Sequence, residues 1–331
     1  MSPGAAPRAL VCASLSLVLL SACGAGNGSP EPEAAPASDT GAFPVTVDHE
    51  FGSTTVEEAP ERIVTLGVTD ADAVLALGVV PVGNTGFSFF ETGLGPWTDD
   101  LVGDAELTHI ASDSEPNIEQ VANLAPDLIV GVSAGFDQAV YEDLSQIAPV
   151  VARPAGVAAY TVPRDEATEL IATALGRPEE GAALNEATDE LLAETRAAHP
   201  EFEGRVGAAV LPFDGKYGAY LPGDARGQFL ASLGFDLPEP VTEQDTGESF
   251  FVELSPERVD MLDGDLLLVF GDDESFDITE GSTAFDSLDV VRDDAVVTTS
   301  LDQRGAVTYN SVLSIPYAVR TLVPRLSDAL A

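Results

Sequence analysis

The chain has 331 residues, 45 % of them hydrophobic, which is enough for two ordinary domains with real cores and excludes a wholly disordered polymer. Against 14 Lys and Arg stand 56 Asp and Glu, a formal charge of −42 that excludes general attraction to nucleic acid or to anionic lipid. So large an excess of acid marks solubility or a salty medium rather than chemistry, and Lys216 is the only lysine.

Arg8 precedes an uncharged run from Ala9 to Ala22, too short for a membrane span of about 20 residues and suited to the core of a signal peptide. The run ends in Leu20-Ser21-Ala22-Cys23-Gly24, which resembles the lipobox of bacterial lipoproteins. The expectation is a signal peptide over 1–22 and a lipidated Cys23, whose acyl chains anchor the protein at the outer face of the cell membrane. Residues 23–42, rich in Gly, Pro, Ala and Glu, read as a flexible tether. Loss of Cys12 with the signal leaves the exported chain without a disulfide.

From Phe43 the pattern predicts a hairpin (43–47 and 54–56), a strand at 62–67, a helix at 69–77 with Asp70 and Asp72 in its first turn, and a strand at 79–83. Strands at 128–132 and 150–152 follow, with helices at 118–124 and 138–147 between them. From about Arg164 to His199 the texture becomes Ala, Leu, Glu and Thr at helical spacing and predicts one long helix, kinked or briefly interrupted at Gly176-Arg177-Pro178. Strand and helix alternation then resumes, with strands at 206–211, 266–270 and 296–297, a helix opened by Asp224, and a last helix at 312–330. The fold class expected is α/β: two Rossmann-like lobes, 43–160 and 201–331, joined by a connecting helix over 161–200.

An internal repeat supports two like units. Residues 118–130 match 256–268 at a constant offset, pairing Glu119 with Glu257, Val121 with Val259, Leu124 with Leu262 and Asp127 with Asp265. With Pro60-Glu61-Arg62-Ile63-Val64, Leu124-Ala125-Pro126-Asp127, Ile147-Ala148-Pro149-Val150-Val151, Ala174-Leu175-Gly176 and Leu254-Ser255-Pro256-Glu257, the order of elements resembles the substrate-binding lipoproteins of ABC importers for iron-siderophores and cobalamin. The resemblance covers 43–326. It implies a two-lobed binding protein with no catalysis and no resident cofactor, acting as a monomer without nucleic acid. Its expected partners are an iron(III)-siderophore and an ABC permease dimer in the membrane. It also implies that one surface glutamate per lobe docks into arginine pockets of the two permease subunits, here Glu119 and Glu257.

Facing α/β units bind ligands beyond the carboxyl ends of their strands, so the candidate loops are 65–70, 86–97, 131–136, 212–220, 270–273 and 300–309. Phe87, Phe89, Phe90, Trp97 and Phe136, with Tyr217, Tyr220 and Tyr309, are the aromatic candidates for contact with siderophore arms. No Lys or Arg occurs from Ile63 through Ala152, which leaves Lys216, Arg226 and Arg304 as candidate cations; some members of the resembled family place a ligand-contacting arginine near the position of Arg226. This distribution favours a weakly anionic ferric complex, hydroxamate or mixed.

Two other readings compete. A haem or cobalamin ligand fits the same fold. Gly131-Val132-Ser133-Ala134-Gly135 has the form of a hydrolase nucleophile elbow, but a triad needs a later histidine and only His199, mid-chain, follows. His49, His109 and His199 are scattered and fall in no candidate loop, so no direct metal site is expected.

Overall fold

Alternation of side chains along Val45–His49 (β1) and Gly52–Val56 (β2) produces an antiparallel hairpin that buries Val47, His49, Thr54 and Val56 on one face. Thr54 Oγ1 donates to the Val150 carbonyl at 2.6 Å, so it must accept from His49 Nε2 at 2.9 Å. His49 Nδ1 in turn accepts the Phe51 N–H at 3.2 Å. The ring is therefore a neutral tautomer committed to structure, and its burial lowers its pKa. The computed structural model describes residues 43–88, 90–110, 115–247, 249–271 and 282–331; the signal segment, Cys23, the tether, Phe89 and the 272–273 end of one candidate loop lie outside them.

The first sheet contains Ile63–Thr65 (β3), Gly83–Asn84 (β4), Thr108–His109 (β5), Leu128–Gly131 (β6) and Val150–Ala152 (β7), all parallel in the order β5-β4-β3-β6-β7. Helices Asp70–Ala76 (α1), Asp99–Val102 (α2), Ile118–Asn123 (α3) and Gln138–Leu144 (α4) intervene. Period-two alternation splits its apolar residues. Ile63, Leu128, Val130 and Val151 face α1, while Val64, Ile129, Val150 and Ala152 face Val121 of α3 and Leu144 of α4. β4 is shorter than expected and shifted past Pro81, which has no N–H to give a ladder.

The predicted long helix is two helices. Arg164–Ala174 (α5) ends at a turn where Gly176 adopts φ +69°, the left-handed conformation in which a Cβ is costly, and Pro178 opens Pro178–Ala198 (α6). The chain reverses rather than kinks: Asn185 Nδ2 donates to the Asp165 carbonyl at 2.9 Å, Arg164 pairs with Asp189, and Gly181 lies against Ala172. Of these two helices α6 bridges the two cores, with Leu184 packed on the first and Leu192 on the second. Its 21 residues span about 30 Å.

The second sheet is mixed, in the order β10-β9-β8-β11-β12. Gly207–Phe213 (β8), Leu266–Val269 (β11) and Val296–Thr298 (β12) run parallel; Lys216–Tyr220 (β9) is antiparallel to β8 and to Phe251–Leu254 (β10) on its other side. Asp214 and Gly215 both have positive φ, the two-residue Asp-Gly turn that joins twisted strands, so the expected cleft loop 212–220 is a hairpin. Helices Ala225–Leu233 (α7), Glu239–Thr242 (α8), Asp289–Arg292 (α9), Leu301–Tyr309 (α10) and Ser314–Ala329 (α11) complete this half. The expected loop 300–309 is α10, started by a capping box between Ser300 and Gln303.

The repeat has a structural meaning. Asp127 accepts the backbone N–H groups of Glu61 and Arg62 at 2.8 and 2.9 Å, and Asp265 accepts that of Val206 at 2.8 Å and Arg205 Nη1 at 2.7 Å. In each half the aspartate just before β6 or β11 fastens the chain entering the strand it pairs with, β3 or β8.

A stronger fastening lies where β3 meets α1. Fully buried Asp70 accepts N–H groups from Gly67 at 3.1 Å, Val132 at 2.8 Å and Ser133 at 2.9 Å, tying the loops after β3 and β6 together. Burial pushes its pKa up, against those hydrogen bonds. Asp70→Ala strands three buried donors at about 1–3 kcal/mol each, so urea unfolding is expected to show a loss of about 3 kcal/mol or more; a loss below about 1 kcal/mol contradicts this role.

Candidate functional site

Between the sheets lies a cleft of about 340 Å³. The first half contributes Val68, Thr69, Phe87 and Ser133, the approach to α5 contributes Tyr160 and Arg164, and the second half contributes Arg226, Phe250, Thr308, Tyr309, Asn310 and Ser311. The loops after β3 and β6 put their backbone at its floor, as expected beyond strand ends. Thr69 Oγ1 donates to Ser133 Oγ at 2.8 Å, so the serine hydroxyl of the elbow-like motif is engaged with its neighbour.

Of the sequence-predicted contacts, Phe87, Arg226 and Tyr309 line the cleft. Arg226 opens α7. Its Nε and Nη2 grip Asp224 Oδ1 and Oδ2, both at 2.6 Å, its Nη1 reaches toward Thr308 Oγ1 at 3.4 Å, and its Cζ stands 4.0 Å over the Tyr220 ring. Burial opposes its charge, but the Asp224 hydrogen bonds and the Tyr220 hydroxyl outweigh that and raise its pKa. Tyr220 is therefore a platform beneath the arginine rather than a wall; burial pushes its own pKa up.

The remaining candidates lie elsewhere. Phe136 is buried in the first core, stacked on Phe51 at 5.9 Å. Tyr217 is buried in the second core, stacked on Phe285 at 6.1 Å, because on β9 it alternates with outward-facing Lys216. Lys216 pairs with Glu253 on β10 at 2.6 Å, half-exposed at the hairpin. Arg304 sits partly buried on α10, where its charge is felt at the Tyr220 hydroxyl. Glu119 and Glu257 are exposed, each near the start of a short helical segment, and hydrogen bonds from Ser255 and from its own backbone lower the Glu257 pKa.

Trp97 forms part of a seam that closes one end of the cleft. The Tyr309 hydroxyl donates to the Gly93 carbonyl at 2.6 Å and accepts the Phe87 N–H at 3.1 Å, crossing from α10 to the 86–97 loop. Phe87, Trp97 and Phe90 ring Tyr309 at 5.1, 5.2 and 6.0 Å, and Tyr317 of α11 backs Trp97 at 5.7 Å. Trp97 packs on the second core although it belongs to the first half of the chain. Among the described aromatics of this loop, Phe90 and Trp97 thus pack at the junction of the lobes, and Phe87 lines the cavity.

Several lining residues escaped sequence reasoning, Tyr160, Phe250 and Arg164 among them. Tyr160, 58 % exposed, holds a positive φ of 64° beside Gly135, and Phe250, 49 % exposed, precedes β10. Among the described residues they are two of four large hydrophobics left exposed, and both line the cleft. Arg164, read as part of a connecting helix, is held by Asp189 while its Nε is buried without a partner. Among the described residues no group of three or more His, Cys, Asp or Glu could hold a metal ion. His199 stacks on Phe202 at 4.9 Å and bonds Glu201 at 2.8 Å.

Residues 63–298 match the periplasmic binding protein family model. The chain is 27 % identical over 238 residues to the Fe(3+)-citrate-binding protein YfmC of Bacillus subtilis, covering 72 % of this chain and 71 % of that one. It is 28 % identical over 262 residues to the probable siderophore-binding lipoprotein YfiY of Bacillus subtilis, covering 77 % and 76 %. Among solved structures it superposes on Streptococcus pneumoniae PiaA in complex with ferrichrome with a TM-score of 0.72 and 26 % identity, over 86 % of this chain and 98 % of that one. With two α/β lobes about a cleft and a family match from the first parallel strand to the last, the chain belongs to the periplasmic binding protein family.

Proposed function

We propose that the protein is the extracytoplasmic substrate-binding lipoprotein of an ABC importer, and that it captures an iron(III)-siderophore complex between its lobes for delivery to a membrane permease. The observation that carries this reading is the cleft itself, walled by exposed aromatics and hydroxyls and lined by charges that are already paired. The named ligands of the relatives, ferric citrate, siderophores and ferrichrome, are iron complexes whose organic shell faces the protein. Lipidation of Cys23 would hold the body at the membrane surface through the 23–42 tether.

The charge balance narrows the ligand. Asp70 turns into the floor, Arg226 is gripped bidentately by Asp224, and Arg164 is held by Asp189. A trianionic complex would have to compete with these carboxylates for the guanidinium groups. A neutral ferric trihydroxamate needs only aromatic contact, hydroxyls and the residual N–H donors of the arginines. Calorimetric titration is expected to show ferrichrome binding at least tenfold more tightly than ferric citrate or a ferric tris-catecholate; the reverse order removes the hydroxamate assignment. Binding of haem or cobalamin with none of the ferric complexes removes the siderophore reading. Truncating Tyr160 or Phe250 to Ala should weaken ferrichrome by about tenfold each, near 1.4 kcal/mol, with little loss of fold stability because both side chains are exposed.

Docking rests on Glu119 and Glu257. They occupy repeat-related, exposed positions, so both lobes offer the same carboxylate to a two-fold permease. Reversing both to Arg should abolish ferrichrome uptake by cells and leave ferrichrome affinity in solution unchanged; uptake at the wild-type rate contradicts the docking role.

A further inference from the structure

Asp72 lies two residues beyond Asp70 on α1, fully enclosed, and faces the opposite lobe. Its Oδ2 accepts the Trp97 Nε1–H at 2.7 Å and the Ser311 hydroxyl, while its Oδ1 is buried with no partner. Trp97 is packed on the second core. Ser311 lines the cleft, and its Oγ accepts the N–H groups of Leu313 at 3.3 Å and Ser314 at 2.9 Å at the start of α11. One carboxyl group therefore connects the first-lobe helix, the aromatic seam and the second-lobe wall.

We propose that Asp72 is a proton-operated latch between the lobes: its carboxyl positions the Tyr309–Ser311 wall of the cleft, and taking up a proton tightens the joint. The unpartnered Oδ1 is where the proton would sit, and Oδ2 of the neutral acid still accepts both donors. Closed lobes bury the group, which raises its pKa from 3.8 to about 6 against the hydrogen bonds from Ser311 and Trp97. Parted lobes expose it to water and return it toward 3.8. The closed form thus binds the proton more tightly, so closure is strongest below pH 4 and weakens as pH rises through 6, by about a hundredfold in equilibrium constant over the window.

The titratable groups around it do not supply this window. On α1, Asp70 is turned to Gly67, Val132 and Ser133. From α10, the Tyr309 hydroxyl is pushed up by burial first and by the Asp72 charge among lesser causes. Behind Trp97, Tyr317 is likewise raised by burial, with Asp302, Arg320 and Asp99 acting on it.

Trp97 is the only tryptophan, so its emission reports the latch directly in the full chain without ligand. Between pH 4.5 and 8 the wild type is expected to titrate with a midpoint near 6, and Asp72→Asn, which is neutral throughout and keeps one amide oxygen to accept from Trp97 and Ser311, is expected to lose the transition. Ser311→Ala removes a hydrogen bond to the charged form and should move the midpoint upward; this variant carries the test if Asp72→Asn does not fold. The melting temperature should depend less on pH from 5 to 7 in Asp72→Asn than in the wild type. A midpoint unmoved in Ser311→Ala, a transition that persists in Asp72→Asn, or a uniform drop in melting temperature with the same pH slope each overturn the latch.

Discussion

A carboxylate enclosed by protein must be met by donors, and α1 opens with two such groups in its first turn. Asp70 meets three backbone N–H groups within its own lobe and so fixes the loops that floor the cleft. Asp72 meets an indole and a hydroxyl at the lobe junction and so fixes the facing wall. Of the two, Asp72 alone reaches the Tyr309–Ser311 wall, where the Tyr309 bonds to Gly93 and Phe87 add a second attachment across the cleft. Helix α6 spans the two cores, while Asp72 and Tyr309 join the walls that face each other across the gap.

The arginines obey the same rule with the sign reversed. Each guanidinium that approaches the cleft brings an aspartate: Asp224 two residues before Arg226, Asp189 across the helical hairpin from Arg164. Pairing keeps both side chains ordered before any ligand arrives, which lowers the entropy lost on capture. It also leaves the wall close to neutral. Tyr220 contributes here from below, since a phenol ring under a buried guanidinium stabilises the charge without adding another one.

Much of this fold was legible because parallel strands in two lobes repeat local chemistry. The matched Asp127 and Asp265 stand before their strands in the sequence and fasten the entering chain in the structure. The Asp214-Gly215 turn was equally visible as a hairpin signal, yet the strand-end rule for clefts assigned 212–220 to a loop, and Lys216 and Tyr217 were expected in a cavity they do not line. The break at Gly176-Arg177-Pro178 was seen, but composition is alike on both sides of it, so only contacts across the helical hairpin, such as Gly181 on Ala172 and Asn185 on Asp165, distinguish reversal from a kink. Contacts such as Tyr309 with Gly93 and Ser311 with Asp72 join residues more than 200 positions apart, and no local pattern encodes them. Arg164, Tyr160 and Phe250 were hidden for a related reason: Arg164 opens α5, Tyr160 lies shortly before it and Phe250 precedes β10, so none is in a candidate strand-end loop.

The formal charge of −42 acquires a consequence once the arginines lining the described cleft are seen to be paired. Exposed acids repel anions at range, although salt at physiological strength limits that field to about 8 Å. An anionic iron complex would meet this field outside and preoccupied guanidinium groups inside. A neutral complex meets neither obstacle. On the proposed reading, the acidic surface and the paired arginines then select in the same direction, and the acids left over at Glu119 and Glu257 are free to serve a basic partner at the membrane. On that reading, charge that looks uniform in composition divides by position into a screen, a set of internal pairs and two proposed docking groups.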